Sequence, residues 1–307
     1  MQIDKAAVLG ATGATGFYLT RELLRRQIHV RVVSRSREHL EARFRGLDVE
    51  IVPADLMDPE AASRAVETCD LLFHCVGLPV ERYPDHLLIT RNVVEAARKA
   101  NARCLLLGAF WSYGPARSNP VKEDGPRNPT SLKARIRMEQ EDLFQMAGAA
   151  VAILPDFYGP QADIGFVNPA LRAIAAGKPA NWIGNLDRPR ELIYVPDLGF
   201  PIVELALREE AYGERWNVSG PGAVIPRDLF ETAGRLCGRE PKIRVANRLL
   251  LAVLGLFNRD VRALRELYSL YMHPPILDAR KLHHLIGDYP ITSYEEGIRR
   301  TLEWIRE

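Results

Sequence analysis

The chain has 307 residues, of which 47% are hydrophobic and 26% are charged, as is usual for a globular protein with a sizeable core. Its formal net charge of +2 gives no strong field for a polyanion, so the composition argues against a nucleic-acid-binding protein. The four cysteines form no CxxC pair and the first ten residues hold no export signal, so we expect reduced thiols, no metal site and a cytoplasmic location.

Short apolar runs alternate with helical stretches through the first half of the chain. The strand-like runs are 6–9, 30–33, 49–52, 71–75, 104–107 and 151–154, and the helical stretches are 15–27, 38–44, 59–67, 87–100 and 132–146. Apolar strands in strict alternation with helices are typical of a parallel sheet that is covered by helices on both faces. We therefore predict an α/β fold with a doubly wound parallel sheet, the Rossmann arrangement.

The alternation weakens after residue 155, where strand-like runs remain at 192–195 and 216–218. We expect a Rossmann domain over 1–155 and a smaller C-terminal α/β substrate lobe over 156–307, interleaved so that some strands of the lobe return to the first sheet. The apolar run 249–257 is too short to cross a bilayer and predicts a helix buried between the lobes. A lid over an apolar substrate and a membrane-surface contact are the alternatives.

Three glycines follow the first strand in the segment Gly10-Ala-Thr-Gly13-Ala-Thr-Gly16. Between a strand and a helix, this spacing predicts a dinucleotide-binding loop. Gly10 allows a tight turn, Gly13 lets the backbone approach a pyrophosphate, and Gly16 lets the helix pack closely, while free N–H groups of the helix face the phosphates. The other contacts expected in this segment are Thr12, Ala14, Thr15 and Phe17.

The second strand ends in Ser34-Arg35-Ser36-Arg37, where a NAD-binding protein carries an Asp or Glu for the ribose hydroxyls. A guanidinium instead pairs with a 2′-phosphate and stacks on adenine. We therefore predict that NADP(H) is preferred over NAD(H), with Ser34 and Arg35 at the phosphate. The alternative is that Arg35 and Arg37 are solvated charges at the strand end.

With these features the chain resembles the extended short-chain dehydrogenases/reductases, the superfamily of nucleotide-sugar epimerases and dehydratases. Further matching segments are Ala54-Asp55-Leu56, residues 69–77, Tyr113-Gly114-Pro115, Phe157-Tyr158-Gly159-Pro160, and residues 190–197 and 293–304. The resemblance implies that Asp55 and Leu56 contact the adenine, that Cys75, Val76 and Gly77 lie under the cofactor, and that Pro155 and Phe157 lie at the nicotinamide end.

The same resemblance implies a substrate site that includes Tyr158 and Arg190. Relatives use an arginine at the place of Arg190 to hold an anionic substrate group. The alternative is a surface ion pair of Arg190 with Glu191 or Asp197.

The catalytic residues of the superfamily are missing where counting would put them. Active members carry a Ser or Thr four residues before a Tyr-Gly pair and a Tyr-xxx-Lys on the next helix, with the Tyr as acid/base. The Ser or Thr place, four residues before Tyr113, falls on Ala109, and counting back from Glu139 puts the Tyr and Lys places on Ser131 and Arg135. The chain is therefore similar to the atypical members, in which the cofactor site is intact and the catalytic residues are degenerate.

Two side chains are our candidates for the missing acid, Tyr113 and Lys133. The alternatives are that Tyr113 is a packed ring and that Lys133 is a solvated helix charge. His74 lies inside an apolar strand, and we interpret it as a core histidine.

These features predict an NADPH-dependent reductase or isomerase of a small, largely apolar carbonyl or enone, with a non-standard proton donor. A non-catalytic NADP-sensing protein and a nucleotide-sugar epimerase or dehydratase with a displaced acid/base are the alternatives. We also expect a homodimer through helices 87–100 and 132–146. The reason is a set of apolar side chains that a monomer would partly expose: Val93, Val94, Ala97, Ile136, Leu143 and Phe144.

Overall fold

The computed structural model describes residues 3–79, 82–162, 165–254 and 259–307. The strands in this part of the chain are β1 (Lys5–Leu9), β2 (His29–Ser34), β3 (Glu50–Pro53), β4 (Leu71–His74), β5 (Arg103–Ala109), β6 (Ala150–Leu154), β7 (Asp156–Tyr158), β8 (Ala180–Ile183), β9 (Arg190–Tyr194), β10 (Arg215–Asn217), β11 (Ala223–Val224) and β12 (Ile243–Ala246).

In the first half of the chain, strands and helices alternate along the sequence. The helices are α1 (Ala14–Arg25), α2 (Arg37–Arg43), α3 (Pro59–Val66), α4 (Asp85–Ala100), α5 (Leu132–Met146), α6 (Val167–Ala175), α7 (Gly199–Ala206), α8 (Pro226–Leu236), α9 (Arg248–Leu254), α10 (Arg259–Met272), α11 (Arg280–Ile286) and α12 (Tyr294–Arg306). Several begin at a capping side chain that accepts a hydrogen bond from a backbone N–H of the first turn, as Ser36, Asp58 and Ser131 do.

Seven strands form one parallel sheet in the order β10-β6-β5-β4-β1-β2-β3. β1 pairs with β2 on one side and with β4 on the other, so the strand order reverses at β1. In such a sheet the connections leave a crevice at the carboxyl ends of the strands where the order reverses. The predicted doubly wound α/β fold is confirmed.

Both faces of this sheet are buried, which explains why its strands are apolar without alternation. Ala6 and Val8 of β1 enter one hydrophobic cluster, whereas Ala7 and Leu9 enter the cluster on the opposite face. Helix α1 packs against α7 on one side of the sheet, while on the other side α4 packs against both α3 and α5.

The second half of the chain contributes to the central sheet and also forms two small sheets. β10 pairs in parallel with β6, so a strand from beyond residue 155 extends the central sheet. The small sheets have the orders β11-β9-β7 and β12-β8. A third hydrophobic cluster lies among α6, α8 and α12.

The apolar run 249–257 is only partly described. Within α9, Leu251 is buried in the core and Leu249 is exposed, and residues 255–258 lie outside the described part of the chain. None of the helices in the described ranges is both long enough and apolar enough to span a bilayer.

The apolar side chains expected at a dimer interface are mostly covered within one chain. Val93 and Ala97 of α4 and Ile136 and Phe144 of α5 are buried, because α4 and α5 pack against each other and against the sheet. The argument that a monomer would partly expose them is wrong for these four, whereas Val94 and Leu143 are partly exposed. The homodimer itself stays a prediction.

Candidate active site

A cleft of about 420 Å³ opens at the carboxyl ends of β1, β2, β3 and β4. It collects most of the residues that the sequence predicts for the cofactor: Gly10, Thr12, Gly13, Ala14, Thr15, Ser34, Arg35, Asp55, Leu56, Cys75, Val76, Gly77 and Phe157. Its other lining residues were not anticipated: Val33, Arg43, Ala54, Leu78, Arg82, Ile89, Gln161 and Ala162.

The glycine loop is held close to its neighbours at two points. Gly10 has a φ of +83°, and a Cβ there would lie 2.8 Å from the Cα of Val76, so the loop lies directly on the segment after β4. A Cβ at Gly16 would lie 2.7 Å from the Cα of Ala11. Gly16 therefore shapes the loop without lining the cleft.

The N-terminus of α1 points its free backbone N–H groups at the cleft. Gly13 is the capping residue, no side chain caps the helix, and its first turn contains no acidic residue. A Cβ at Gly13 would have only ordinary contacts, at 3.5 Å from the carbonyl oxygen of Gly10. Unsatisfied N–H groups and the positive end of the helix dipole favour a bound phosphate, so a pyrophosphate fits here.

Two guanidinium groups line the cleft beyond β2. Arg35 is exposed and makes no ion pair with any residue that the structure describes. Arg43, from the end of α2, lies with its Cζ 4.8 Å from the ring centre of Phe17. Phe17, which was predicted to contact the cofactor, does not line the cleft itself. Its ring instead holds the guanidinium of Arg43, which does line the cleft.

The second arginine of the predicted pair behaves differently from Arg35. Arg37 lies outside the cleft lining and pairs with Glu41 across one turn of α2, at 3.5 Å. At the entrance of the cleft, Ser34 Oγ lies 3.5 Å from Thr12 Oγ1, and Asp55 Oδ1 accepts a hydrogen bond from the N–H of Met57. Within the cleft lining, Asp55 is the only carboxylate.

The end of β4 holds two titratable groups that burial keeps uncharged. Burial, with the nearby Arg137 guanidinium, lowers the pKa of His74 to about 3. The interpretation of His74 as a core histidine agrees with this position. Burial raises the pKa of the Cys75 thiol, so Cys75 lines the cleft as a thiol and not as a nucleophilic thiolate. No set of three metal-ligating side chains comes together anywhere in the described ranges.

Tyr113 is not brought to the cleft. It ends the short 3₁₀ turn Phe110–Tyr113, is 3% exposed, and donates a hydrogen bond from its hydroxyl to Asn217 Oδ1 at 2.7 Å. Burial raises the pKa of the Tyr113 hydroxyl above its ordinary value. The packed-ring alternative describes this position, and a catalytic role for Tyr113 stays a prediction.

The two residues predicted for the substrate are also buried away from the cleft lining. Tyr158 is fully buried between Tyr194 and Tyr294 in the core of the C-terminal half. Pro155, which was expected at the nicotinamide end, is buried and does not line the cleft, whereas Phe157 does.

Arg190 is sandwiched between aromatic rings. Its Cζ lies 4.5 Å from the ring centre of Trp182 and 5.3 Å from that of Tyr271, and its Nη2 donates to the carbonyl of Tyr271. Desolvation lowers the pKa of its guanidinium. The alternative of a surface ion pair with Glu191 or Asp197 is wrong, because Arg190 is buried. The carboxylate of Glu191 accepts hydrogen bonds from backbone N–H groups at Gly220 and Leu277, and that of Asp197 accepts hydrogen bonds from Thr292.

Helix α5 turns a different face to the sheet from the one that counting suggests. Ser131 caps the helix and accepts a hydrogen bond from the N–H of Ala134, and Arg135 and Glu139 are exposed. Residues 133, 137 and 141 face inward. Lys133 is only 8% exposed, with its Nζ 5.8 Å from the ring centre of Tyr83. The alternative of a solvated helix charge for Lys133 is therefore wrong.

Comparison with known proteins identifies the family of the chain. The model of the NAD dependent epimerase/dehydratase family matches residues 6–219. The UDP-N-acetyl-alpha-D-glucosaminuronate decarboxylase of Bacillus cytotoxicus is 22% identical over 99% of this chain and 98% of its own length. The ceramide reductase of Caulobacter vibrioides is 30% identical, over 52% of this chain and 49% of its own.

Among solved structures, the UDP-glucuronic acid 4-epimerase of Bacillus cereus, in complex with UDP-glucuronic acid and NAD, superposes with a TM-score of 0.82. The match covers 98% of this chain and 99% of the epimerase at 17% identity, so it shows the shared fold. The family model covers well over half of the chain, from the first strand of the sheet to just beyond the last. The chain therefore belongs to the NAD dependent epimerase/dehydratase family.

Proposed function

We propose that the chain is an enzyme that binds a nicotinamide dinucleotide in this cleft, prefers NADP(H), and transfers hydride to or from a carbon that bears oxygen. The observation that carries the proposal is the composition of the cleft. The lining combines an uncapped helix N-terminus with two guanidinium groups that follow β2, and none of the three residues directly after β2 is acidic. This arrangement favours a pyrophosphate together with a 2′-phosphate.

The lining residues suit the remaining parts of such a cofactor. Asp55 has a carboxylate oxygen free for the adenine amino group, because only Oδ1 bonds to the N–H of Met57. Phe157 provides an apolar surface in the cleft lining and would exclude water from the nicotinamide. When bound, the nicotinamide supplies or accepts the hydride, and the protein must supply or accept a proton at the substrate oxygen.

A nucleotide sugar is the substrate class that the comparisons favour, since the full-length relative acts on a UDP-sugar by its name. The alternative is a small, largely apolar carbonyl or enone. One observation favours the alternative: Arg190 is covered by Trp182 and Tyr271, so it is not presented to a diphosphate. The partial likeness to a ceramide reductase points the same way.

The first experiment is a titration of the purified protein with NADPH and NADH, followed by incubation with UDP-sugars and with a panel of ketones and enones. We expect tighter binding of NADPH, and turnover in one substrate group. Products are separated by chromatography, because an epimerase returns its hydride and leaves no net change in cofactor absorbance. Tight binding with no turnover would favour the NADP-sensing alternative, and no binding of either dinucleotide would refute the proposal.

We also propose a homodimer through α4 and α5 and a cytoplasmic location. Leu88, Leu132 and Met146 on these two helices are exposed apolar side chains. All four cysteines are free thiols, as is usual for a cytoplasmic protein. Light scattering should give twice the 34.5 kDa mass of the chain, and a value of 34.5 kDa would refute the dimer.

A further inference from the structure

The inward face of α5 carries three ionisable side chains, spaced four residues apart. Lys133 is 8% exposed, Glu141 is fully buried, and Arg137 lies half-buried between them. Side chains four residues apart lie on the same face of a helix, one turn above the other. A lysine and an arginine are costly to bury, so this face must serve a purpose that apolar residues could not.

Arg137 is fixed against the central sheet. Its Nη2 donates to the carbonyl of Leu107 in β5 at 3.0 Å, and its Nη1 donates to Gln140 Oε1 at 2.7 Å. Burial and this cation lower the pKa of His74 to about 3 and that of His86 to about 2. Both imidazoles are therefore neutral, and neither can donate a proton as an imidazolium near neutral pH.

Lys133 is outside the cleft lining and contacts the segment that follows β4. Its Nζ faces the ring of Tyr83, which contacts His86 edge-on and lies 6.4 Å from Trp111. The residue before Tyr83, Arg82, lines the cleft. Trp111 belongs to the turn that follows β5, so Lys133 lies between the segments that leave β4 and β5.

Two hydroxyl groups near this position make hydrogen bonds within the protein. The hydroxyl of Tyr113 bonds to Asn217, and Ser131 Oγ caps α5. The histidines are neutral. The ammonium group of Lys133 carries transferable protons, which makes it a candidate donor at this position.

We infer that Lys133 is the proton donor and acceptor for the substrate oxygen and that Arg137 is the positioning residue that orders it and the cofactor ribose. In this pair Lys133 takes the place of the tyrosine, and Arg137 that of the lysine, of the Tyr-xxx-Lys motif. The inference rests on the proposed function. In reduction the substrate carbon gains hydride and its oxygen takes a proton from Lys133 Nζ, after which the neutral amine takes a proton from water. In oxidation the same steps run in reverse.

The first test compares Lys133→Met with Arg135→Met, which alters an exposed cation on the same helix. A positioned acid contributes ~10²–10⁴-fold to rate, so Lys133→Met should lower kcat at least a hundred-fold with NADPH affinity within about three-fold. Arg135→Met should leave kcat within about two-fold. Equal kcat for the two variants, or a Lys133→Met kcat within three-fold of the unaltered enzyme, would overturn the inference.

The second test restores the motif of the family at two alternative registers. The double variant Lys133→Tyr/Arg137→Lys should retain at least a tenth of the kcat of the unaltered enzyme, because both new side chains lie on the inward face of α5. Ser131→Tyr with Arg135→Lys should not rescue the Lys133→Met variant, since residue 135 faces solvent. Arg137→Met should raise KM for the cofactor, and Arg137→Lys should largely restore it. The opposite ranking of the two pairs would overturn the assignment.

A third test needs no substrate. Acetic anhydride labels lysines, and peptide mass spectrometry gives the extent of acetylation at each one. Saturating NADP⁺ should slow acetylation of Lys133 at least five-fold and leave the exposed Lys178 unchanged. Normal NADP⁺ binding with unprotected Lys133 overturns this inference alone. Failure to bind any dinucleotide overturns the proposed function and this inference with it.

Discussion

Removal of Arg35 or Arg43, the two guanidinium groups of the cleft lining that follow β2, should weaken NADPH binding selectively. A hydrogen bond to a charged group contributes ~1.5–3 kcal/mol, and the lower value suits exposed Arg35 because solvent screens it. Arg43 is already ordered by its contact with Phe17, 4.8 Å from the ring centre, and loses less side-chain entropy on binding. We therefore expect roughly a ten-fold loss of NADPH affinity for Arg35→Ala and somewhat more for Arg43→Ala.

The assay is a fluorescence titration of NADPH and NADH with each variant at low and at roughly 0.5 M salt, where charge pairs are screened. Arg37→Ala is the matched control, because Arg37 lies on the same segment but pairs with Glu41 outside the cleft. NADH affinity should change less than two-fold throughout. The reasoning is refuted if the unaltered protein binds the two dinucleotides equally, or if Arg37→Ala weakens NADPH as much as Arg35→Ala does.

Three further predictions concern stability. Gly46→Ala should lower the free energy of unfolding by about 1 kcal/mol, because the φ of Gly46 is positive but a Cβ there would meet no other atom. Gly10→Ala should lower it two or three times as much, because a Cβ at Gly10 would also collide with the backbone at Val76. Urea titration of both variants measures these values. Burial raises the pKa of Glu141 from 4.5 to about 7, so the folded protein holds this proton more tightly than the unfolded chain does. The resulting contribution to the free energy of unfolding is fully present below pH 4.5, and up to ~3 kcal/mol of it is lost as the pH rises through 7. The fall in the free energy of unfolding between pH 5 and pH 8 should be smaller for Glu141→Gln than for the exposed control Glu139→Gln. An equal fall in the two variants would contradict this. Tyr113→Phe should lower the free energy of unfolding by ~1–3 kcal/mol, because Asn217 Oδ1 loses its hydrogen-bond donor, and should leave NADPH affinity within two-fold. A hundred-fold fall in kcat at unchanged stability would instead place this hydroxyl at the substrate.

Local patterns were sufficient for the fold and for most of the cofactor cleft. Each strand of the first half could be recognised because both faces of the sheet are buried, which leaves a continuous apolar run in the sequence. The loop from Gly10 to Gly16 could be recognised because its backbone geometry requires glycine at specific places. Arg35 follows β2 directly, so its position in the cleft depends on chain order alone.

Only the tertiary structure decided which side chains are buried and which are available. Counting along the sequence selected Ser131 and Arg135, but the packing of α5 on the sheet turned Lys133 and Arg137 inward. Arg43 entered the cleft because α2 ends beside Phe17, which no local motif signals. Arg190 was covered by the rings of Trp182 in β8 and Tyr271 in α10, and Tyr271 is 81 positions away from it in the chain. These outcomes depend on contacts between distant segments, and a helix or strand pattern carries no information about which neighbour will cover it.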